Sequence, residues 1–445
     1  MNWGKLNDKH IRNRIAVFIL VVMATLLIAD QYLLPPNYQM VMAEFDISES
    51  RMGLISTIFV VSGVAVTALW GFLSDIKERK KLLLIGVMVG EIPCFATAFV
   101  QSYDQLLLTR IFTGIGVGAL IPIGYSLISD IYEEGKRGKG FGYIQVALGL
   151  GSLVGMILAG TLANWRTPFI IVAVPNFFLA PLFYWIMVEP KRGEGDKELK
   201  ESLKEGAEYS YKIDLNTVKK SFKTKTNLLI FSQGIIGMIP WGVLTYWLVS
   251  FLIVTRGMER GTATFVLLIV GSATVLGSIV GGLLGDRFED RMRGGRAIMV
   301  GISMFIGAVA SIGLIVYPLP STLAVRDWII LTIYVFLFLQ TITFAAPNVP
   351  AIISQVNLPE DRGTVFGVFN ILNNGGMALG PVLAGFLVGL LVSFGYGRPL
   401  AYRNAMIIGA AFWIPASFIW IWLKTQYPDD RDNIKDILKK RAEEL

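Results

Sequence analysis

The sequence predicts an all-α polytopic membrane protein, with twelve transmembrane helices arranged as two pseudo-symmetric six-helix bundles. Of its 445 residues, 54% are hydrophobic and only 16% are charged, against roughly 25% charged residues in soluble domains. Apolar stretches of about 20 residues recur along the chain, and each is long enough to cross a hydrocarbon core of roughly 30 Å. A short polar pattern also occurs once in each half, which indicates an internal duplication.

The apolar stretches place six spans on each side of a long charged segment. The predicted spans are 15–34, 51–74, 82–101, 105–131, 139–162, 166–188, 226–252, 260–284, 296–317, 328–355, 363–392 and 402–423. The expected organisation is an N-terminal six-helix bundle over 1–190, a cytoplasmic linker over 191–225, a C-terminal six-helix bundle over 226–423 and a cytoplasmic tail over 424–445.

The first apolar stretch is interpreted as an uncleaved helix. It runs from Ile15 to Leu34, carries Asp30 and ends at Pro35-Pro36. This is too long for the core of a signal peptide, and no small-residue cleavage site follows it.

Cysteine and histidine are nearly absent from the chain. The one cysteine, Cys94, cannot form an internal disulfide, and the one histidine, His10, lies among the basic residues of the N-terminal segment. The sequence therefore predicts no metal site and no cofactor. It also argues against an integral-membrane lipid enzyme, which needs a catalytic group at a membrane face.

The basic residues predict the orientation of the spans. Every lysine falls in the termini or in one alternate set of loops, whereas the opposite loops hold only arginine. Positively charged residues favour the cytoplasmic side, so both termini are expected in the cytoplasm of a cell with this protein in its plasma membrane. The net charge of +7 then faces anionic lipid headgroups rather than nucleic acid. The opposite-side residues are Arg51, Arg166, Arg256, Arg260, Arg326, Arg398 and Arg403.

The repeated polar pattern is Gly-x-Leu-x-Asp followed by a basic cluster, between the second and third spans of each half. The two copies begin at Gly71 and Gly282, 211 residues apart. The pattern resembles the loop between helices two and three of major facilitator superfamily transporters. That resemblance implies alternating access, with the loops and a basic group near helix five acting as a cytoplasmic latch. The latch candidates are Gly71, Asp75, Arg79, Lys80, Arg137, Gly282, Asp286 and Arg287.

A second repeat relates the fifth and eleventh spans. A shift of 225 residues lays Gly151 and Gly155 on Gly376 and Gly380. Glycines four residues apart leave a flat helix face on which another helix can approach closely. Close packing and a moving hinge are both compatible with this spacing.

Three ionisable residues fall inside predicted spans: Asp30, Glu91 and Arg110. Each costs about 2.5–3.5 kcal/mol on insertion scales, so each needs a partner or a role. At about 1.5 Å per residue, Asp30 lies about 22 Å along the outward first helix, and Arg110 about 6 Å into the inward fourth. Both fall in the outer third of the membrane, which predicts an ion pair. Separate hydration of the two groups near the outer rim is the alternative.

The N-terminal half resembles the Spinster group of the superfamily. The resemblance rests on Asp30-Gln31-Tyr32, on the run from Leu106 to Arg110 that leads to Gly114-Ile115-Gly116, and on Glu189-Pro190. It implies export of lysolipids, sphingosine phosphate or sugars, often with protons, and assigns Asp30 and Arg110 as the coupling pair. Gln31 and Val117 replace a basic residue and a glutamate of that group. Glu91 is therefore either a substitute acid or a protonated structural residue.

The C-terminal half lacks such a charged pair and offers neutral polar groups that suit an amphipathic cavity. The expected substrate is a small organic or amphipathic, possibly lysolipid-like, solute, moved by a monomer in contact with membrane lipids and coupled to protons. An uncoupled facilitator and a multidrug or sugar exporter are the alternatives. The cavity candidates are Gln145, Gln233, Trp241, Gln340, Asn348, Asn370, Asn373 and Asn374.

Overall fold

The computed structural model describes residues 9–132, 137–191, 224–358 and 362–443. All regular secondary structure in these ranges is helical, which confirms the predicted all-α class. The described residues form two compact units, one containing α1 to α7 and the other α8 to α15, with residues 49–53 at the start of α3 grouped with the second unit. Each unit is described by itself below.

The first unit begins with a long helix that is followed by a short turn and six further helices. A 3-10 helix over Pro35–Asn37 joins α1 to α2. The helices are α1 Lys9–Gln31, α2 Tyr38–Phe45, α3 Glu49–Ile76, α4 Arg79–Thr97, α5 Tyr103–Ile131, α6 Arg137–Thr161 and α7 Thr167–Ile186.

The second unit contains two predicted spans that are interrupted. A 3-10 helix over Leu339–Phe344 separates α11 from α12, and Phe412 separates α14 from α15. The helices are α8 Lys225–Arg256, α9 Arg260–Arg291, α10 Gly295–Val316, α11 Val325–Leu337, α12 Ala345–Val356, α13 Arg362–Ser393, α14 Arg398–Ala411 and α15 Trp413–Glu443.

Eleven stretches of the described residues are long and apolar enough to cross a membrane. The twelfth predicted span is α4, whose hydropathy is lowered by Arg79, Lys80 and Lys81 in its first turn and by Glu91 in its interior. Together these helices make the chain a multi-pass membrane protein.

The predicted C-terminal tail continues the last helix. No break occurs at residue 424, because α15 runs on to Glu443. Its polar part packs within the second unit: Tyr427 is fully buried, and Arg431 is ion-paired with Glu289 of α9.

The repeated glycines serve close helix packing within each unit. A Cβ on Gly155 of α6 would lie 2.3 Å from the carbonyl oxygen of Ala29 of α1, and one on Gly376 of α13 would lie 2.3 Å from that of Ile235 of α8. Real Cβ atoms do not approach so closely, so only glycine fits these crossings. The related faces of α6 and α13 therefore hold equivalent helix pairs together.

Candidate functional site

The three ionisable residues predicted inside the membrane lie in one buried region of the first unit. Arg110 Nη1, on α5, donates hydrogen bonds to Asp30 Oδ1 at 3.0 Å and Oδ2 at 2.9 Å, on α1. Both residues are almost completely buried, with 1% of Asp30 and 2% of Arg110 exposed. The ion pair expected from their matching depth is formed; its role in coupling stays a prediction.

Arg110 is held in place by groups from two further helices. Its Nη2 donates to Thr97 Oγ1 of α4 at 2.5 Å, and its guanidinium carbon lies 5.1 Å from the centre of the Phe169 ring of α7. A guanidinium at that distance is attracted by the negative face of the ring. Thr97 and Phe169 could not be selected from the sequence, since both are common residue types of membrane helices.

Asp30 also accepts a hydrogen bond from the single cysteine. Cys94 Sγ lies 3.0 Å from Asp30 Oδ1, and the thiol is fully buried. A thiol is a weak donor, so it supplements the guanidinium rather than replacing it.

Glu91 lies on α4, one turn before Cys94, and its carboxyl group is fully buried. Asn176 Nδ2, on α7, donates to Glu91 Oε1 at 2.5 Å and to the carbonyl oxygen of Met23 at 3.3 Å. Among the described residues, neither Glu91 Oε2 nor Asn176 Oδ1 has a hydrogen-bond partner. Asn176 was not predicted, although an amide within an apolar helix is a signal that could have identified it.

The region formed by Asp30, Glu91, Cys94, Arg110 and Asn176 is called the acid pocket here. It combines two carboxyl groups with one guanidinium, and all three are buried. In such a setting an acid is stable when ionised beside a cation or when protonated. The arrangement is therefore chemically suited to holding a proton or exchanging one.

The first copy of the repeated loop pattern forms a second buried network in the same unit. Arg79 has an exposed fraction of 2%, is ion-paired with Asp130 of α5 and donates from Nη2 to the carbonyl oxygen of Pro190 at 2.7 Å. Arg79, a latch candidate from the sequence, is therefore compensated by an acid of its own unit. The neighbouring Lys80 lies close to α7, with its Nζ 5.2 Å from the centre of the Tyr184 ring.

The remaining latch candidates of the first unit are only partly described. Gly71 lies against Pro122, since a Cβ on it would be 3.8 Å from the proline Cβ. Asp75 and Arg137 are helical, but their side chains lie outside the described part of the structure.

The aspartate in the second copy of the pattern pairs with an arginine that was not predicted. Asp286 is ion-paired with Arg296 at the start of α10, and Arg296 Nη1 also donates to Asn348 Oδ1 at 2.9 Å. Arg287, the residue selected from the sequence, is exposed. Gly282 lies at the contact with α12, where a Cβ would be 3.5 Å from that of Pro347.

Asn348 does not line an open cavity, contrary to its prediction as a substrate residue. It is fully buried, and its Nδ2 donates to the carbonyl oxygens of Gly281 at 2.9 Å and Phe344 at 2.6 Å. With Arg296 bonded to its oxygen, the amide is saturated by protein groups. Its position opposite α9 makes it a packing residue.

Two of the predicted cavity residues, Gln233 and Asn373, lie on α8 and α13, which pack against each other. A Cβ on Gly234, next to Gln233 on α8, would lie 3.8 Å from Asn373 Oδ1 and 3.0 Å from the Phe369 ring, both on α13. Trp241, two turns further along α8, contacts Trp413 of α15 with 5.7 Å between ring centres.

The other cavity candidates are separate from this pair or bonded locally. In α13, Asn374 Nδ2 donates to the carbonyl oxygen of the exposed residue Asn370 at 2.8 Å. Gln340 lies in the 3-10 helix between α11 and α12. Gln145 belongs to the first unit, where its Nε2 donates to the Tyr125 hydroxyl at 2.6 Å.

Comparison with known proteins identifies a family. Residues 19–337 match the family described as the Major Facilitator Superfamily. Protein spinster homolog 3 of Danio rerio is 25% identical over 297 residues, which cover 63% of this chain and 58% of that protein. The cis,cis-muconate transport protein of Acinetobacter baylyi is 25% identical over 407 residues, which cover 88% of this chain and 90% of that protein.

A solved structure shares the fold. It is a bacterial homologue of the human lysosomal transporter Spinster, in an inward-facing and unoccupied conformation, with a TM-score of 0.79 and 17% identity. The alignment covers 94% of this chain and 98% of that one. The Spinster resemblance inferred from the sequence is thus confirmed, and the family is one of transporters rather than enzymes.

Proposed function

This chain belongs to the major facilitator superfamily and is a membrane transporter, and from that premise we propose that it is a proton-coupled secondary transporter of a small organic or amphipathic solute. Its two halves would move by alternating access, with the repeated loops acting as a latch on the cytoplasmic side. We place the protein in the plasma membrane, and the lysine distribution supports an orientation with both termini in the cytoplasm. A monomer suffices for this cycle.

The observation that carries the proposal is the buried Asp30–Arg110 pair, which joins α1 to α5 at 2.9 Å. Beside Arg110 the carboxylate is stable without a proton. Once the two helices separate, the same carboxylate loses its compensating charge while it stays out of bulk water, and a proton becomes favourable. A change in helix packing can therefore drive protonation, and a proton gradient can drive the change in packing.

The solute class is supported by the polar residues of the second unit. Gln233 and Asn373 lie on α8 and α13, which pack against each other, and Trp241 adds an aromatic surface on α8. Neutral amides next to an aromatic ring suit a molecule with hydroxyl or amide groups and an apolar part. Such a surface favours a lysolipid-like or polyol solute over a multiply charged anion.

Flux into proteoliposomes tests the proposal. Three probes span the classes above: a lysophospholipid, a neutral disaccharide and cis,cis-muconate, each assayed with and without an imposed pH gradient. We expect the wild type to accumulate one probe only with the gradient. Asp30→Asn should lose accumulation but keep downhill exchange, because the variant preserves the side-chain shape and removes the group that titrates.

The control for that assay is Glu44→Gln, which removes an acid outside the acid pocket, paired with Arg166. It should accumulate the probe as the wild type does. Wild-type flux that ignores the gradient would replace the proposal with an uncoupled facilitator. That alternative is favoured by Val117, which stands where the Spinster group has a glutamate.

A further inference from the structure

Glu91 is the one acid of the acid pocket without a cation. Among the described residues, Arg110 pairs only with Asp30, and its remaining hydrogen bond goes to Thr97. Glu91 is fully buried and receives a neutral amide instead. We propose that Glu91 carries a proton in this conformation, so that the acid pocket is a proton-binding site that is already loaded.

The charge balance of the pocket supports this assignment. The groups that face Glu91 are Asp30 from α1, Arg110 from α5, Asn176 from α7 and Cys94 from its own helix. The positive charge of the Arg110 guanidinium cancels the negative charge of the Asp30 carboxylate, and the amide and thiol are neutral. An ionised Glu91 would add a second negative charge with no compensating cation at a fully buried position, which is strongly unfavourable. A protonated Glu91 keeps the pocket neutral.

The hydrogen bonds of Asn176 point to the same state. Both hydrogens of its amide are used, one by Glu91 Oε1 and the other by the Met23 carbonyl. The two acceptors left over in this pair of side chains are Glu91 Oε2 and Asn176 Oδ1, and neither has a donor among the described residues. A proton on Glu91 Oε2 supplies a hydrogen-bond donor for Asn176 Oδ1. The pair then forms the two-bond arrangement of a carboxylic acid with a carboxamide.

The protonation of Glu91 does not depend on the proposed function, but its consequence for coupling rests on that function. With Glu91 neutral, Asp30 is the sole ionised acid beside Arg110, which is the state that coupling through Asp30 requires. Glu91 is then a positioning residue that fixes α7 against α4 through Asn176, and the gradient acts on Asp30.

Infrared spectroscopy of the purified full-length protein tests the proton directly, without substrate or gradient. A protonated carboxylic acid has a C=O stretching band that is separate from those of carboxylates and amides and that shifts in D2O. We expect the wild type at neutral pH to show this band and Glu91→Gln to lose it. Glu44→Gln, which removes an acid paired with Arg166, should retain it.

A second variant covers the case in which Glu91→Gln does not fold. Asn176→Leu keeps Glu91 but removes its amide partner, so the band should persist at a shifted frequency. A wild type without the band, a band that survives Glu91→Gln, or a band that Asn176→Leu leaves unmoved would each overturn the assignment. None of these outcomes depends on flux, so the coupling role of Asp30 succeeds or fails separately.

Discussion

Arg79 Nε donates a hydrogen bond to Glu189 Oε1 at 2.9 Å, which ties the first turn of α4 to the segment that follows α7. The backbone amide of Lys80 donates to the other carboxylate oxygen at 3.0 Å. Because Arg79 also pairs with Asp130 at the end of α5, one guanidinium joins three elements at the same end of the first unit. The loop pattern in the sequence therefore marks an internal anchor.

Loss of this anchor should destabilise the protein. Arg79→Ala removes the guanidinium that compensates Asp130 and Glu189, and removal of one member of a buried pair costs about 3–5 kcal/mol. Arg287→Ala is the matched control, because Arg287 is exposed and exposed substitutions usually change stability by about 0.5 kcal/mol or less. Thermal unfolding in detergent, followed by tryptophan fluorescence, measures both. Equal unfolding temperatures for the two variants would contradict the anchor.

The thiol of Cys94 should report the charge on Asp30. The chain has one cysteine, so its infrared spectrum holds a single S–H stretching band. In the wild type that S–H donates to Asp30 Oδ1, and a carboxylate is a stronger acceptor than an amide. Asp30→Asn should therefore move the band to higher frequency, as expected for a weaker hydrogen bond.

Two controls make that measurement decisive. Cys94→Ser removes the band and confirms its origin, while Glu44→Gln should leave it unchanged, since Glu44 pairs with Arg166 and Trp165 instead. An S–H band at the same frequency in Asp30→Asn and the wild type would mean that Asp30 is not the acceptor.

The sequence could predict the Asp30–Arg110 pair because depth in a membrane follows from helix length and direction, and few charges were available to match. It could not predict Cys94 or Asn176 as neighbours of the acids. Their contacts depend on the rotation of α4 and α7 about their axes, which packing fixes and hydropathy does not. The partners of Arg79 could not be predicted for a related reason, since the acids that pack against a basic loop residue are known only once the helices are packed.

Substitution of Asn348 should lower stability, whereas substitution of Asn373 should weaken solute binding. Asn348→Ala removes the hydrogen bonds that the amide makes with Arg296 and with two carbonyl oxygens, and a buried group left unsatisfied costs about 1–3 kcal/mol. Asn373 is only partly buried, so Asn373→Ala should change stability little and weaken solute binding. Thermal unfolding with and without the probe identified by flux measures both effects. The assignment is wrong if Asn373→Ala unfolds as early as Asn348→Ala.

The glycines where α4 and α5 cross should set the distance between these helices and therefore the geometry of the acid pocket. A Cβ on Gly116 would lie 2.3 Å from Gly90 Cα and 2.7 Å from the carbonyl oxygen of Gly86, so Gly116→Ala must push the two helices apart. Because α5 carries Arg110 and α4 carries Cys94, the shift should disturb the acid pocket as well as the packing.

Gly116→Ala should lower the free energy of unfolding by about 1–3 kcal/mol, as at other overpacked sites. It should also broaden the S–H band of Cys94. Gly90→Ala should be milder, since its closest contact would be a flexible Leu27 methyl at 3.1 Å. Gly149→Ala is the control: nothing lies within 4 Å of its Cβ position on α6, and alanine is the better helix former by about 0.5–1 kcal/mol. The unfolding temperatures should therefore rise from Gly116→Ala through Gly90→Ala to Gly149→Ala. The opposite order would mean that α4 and α5 do not cross at these glycines, and the contacts between Arg110 and the groups on α4 would then need another support.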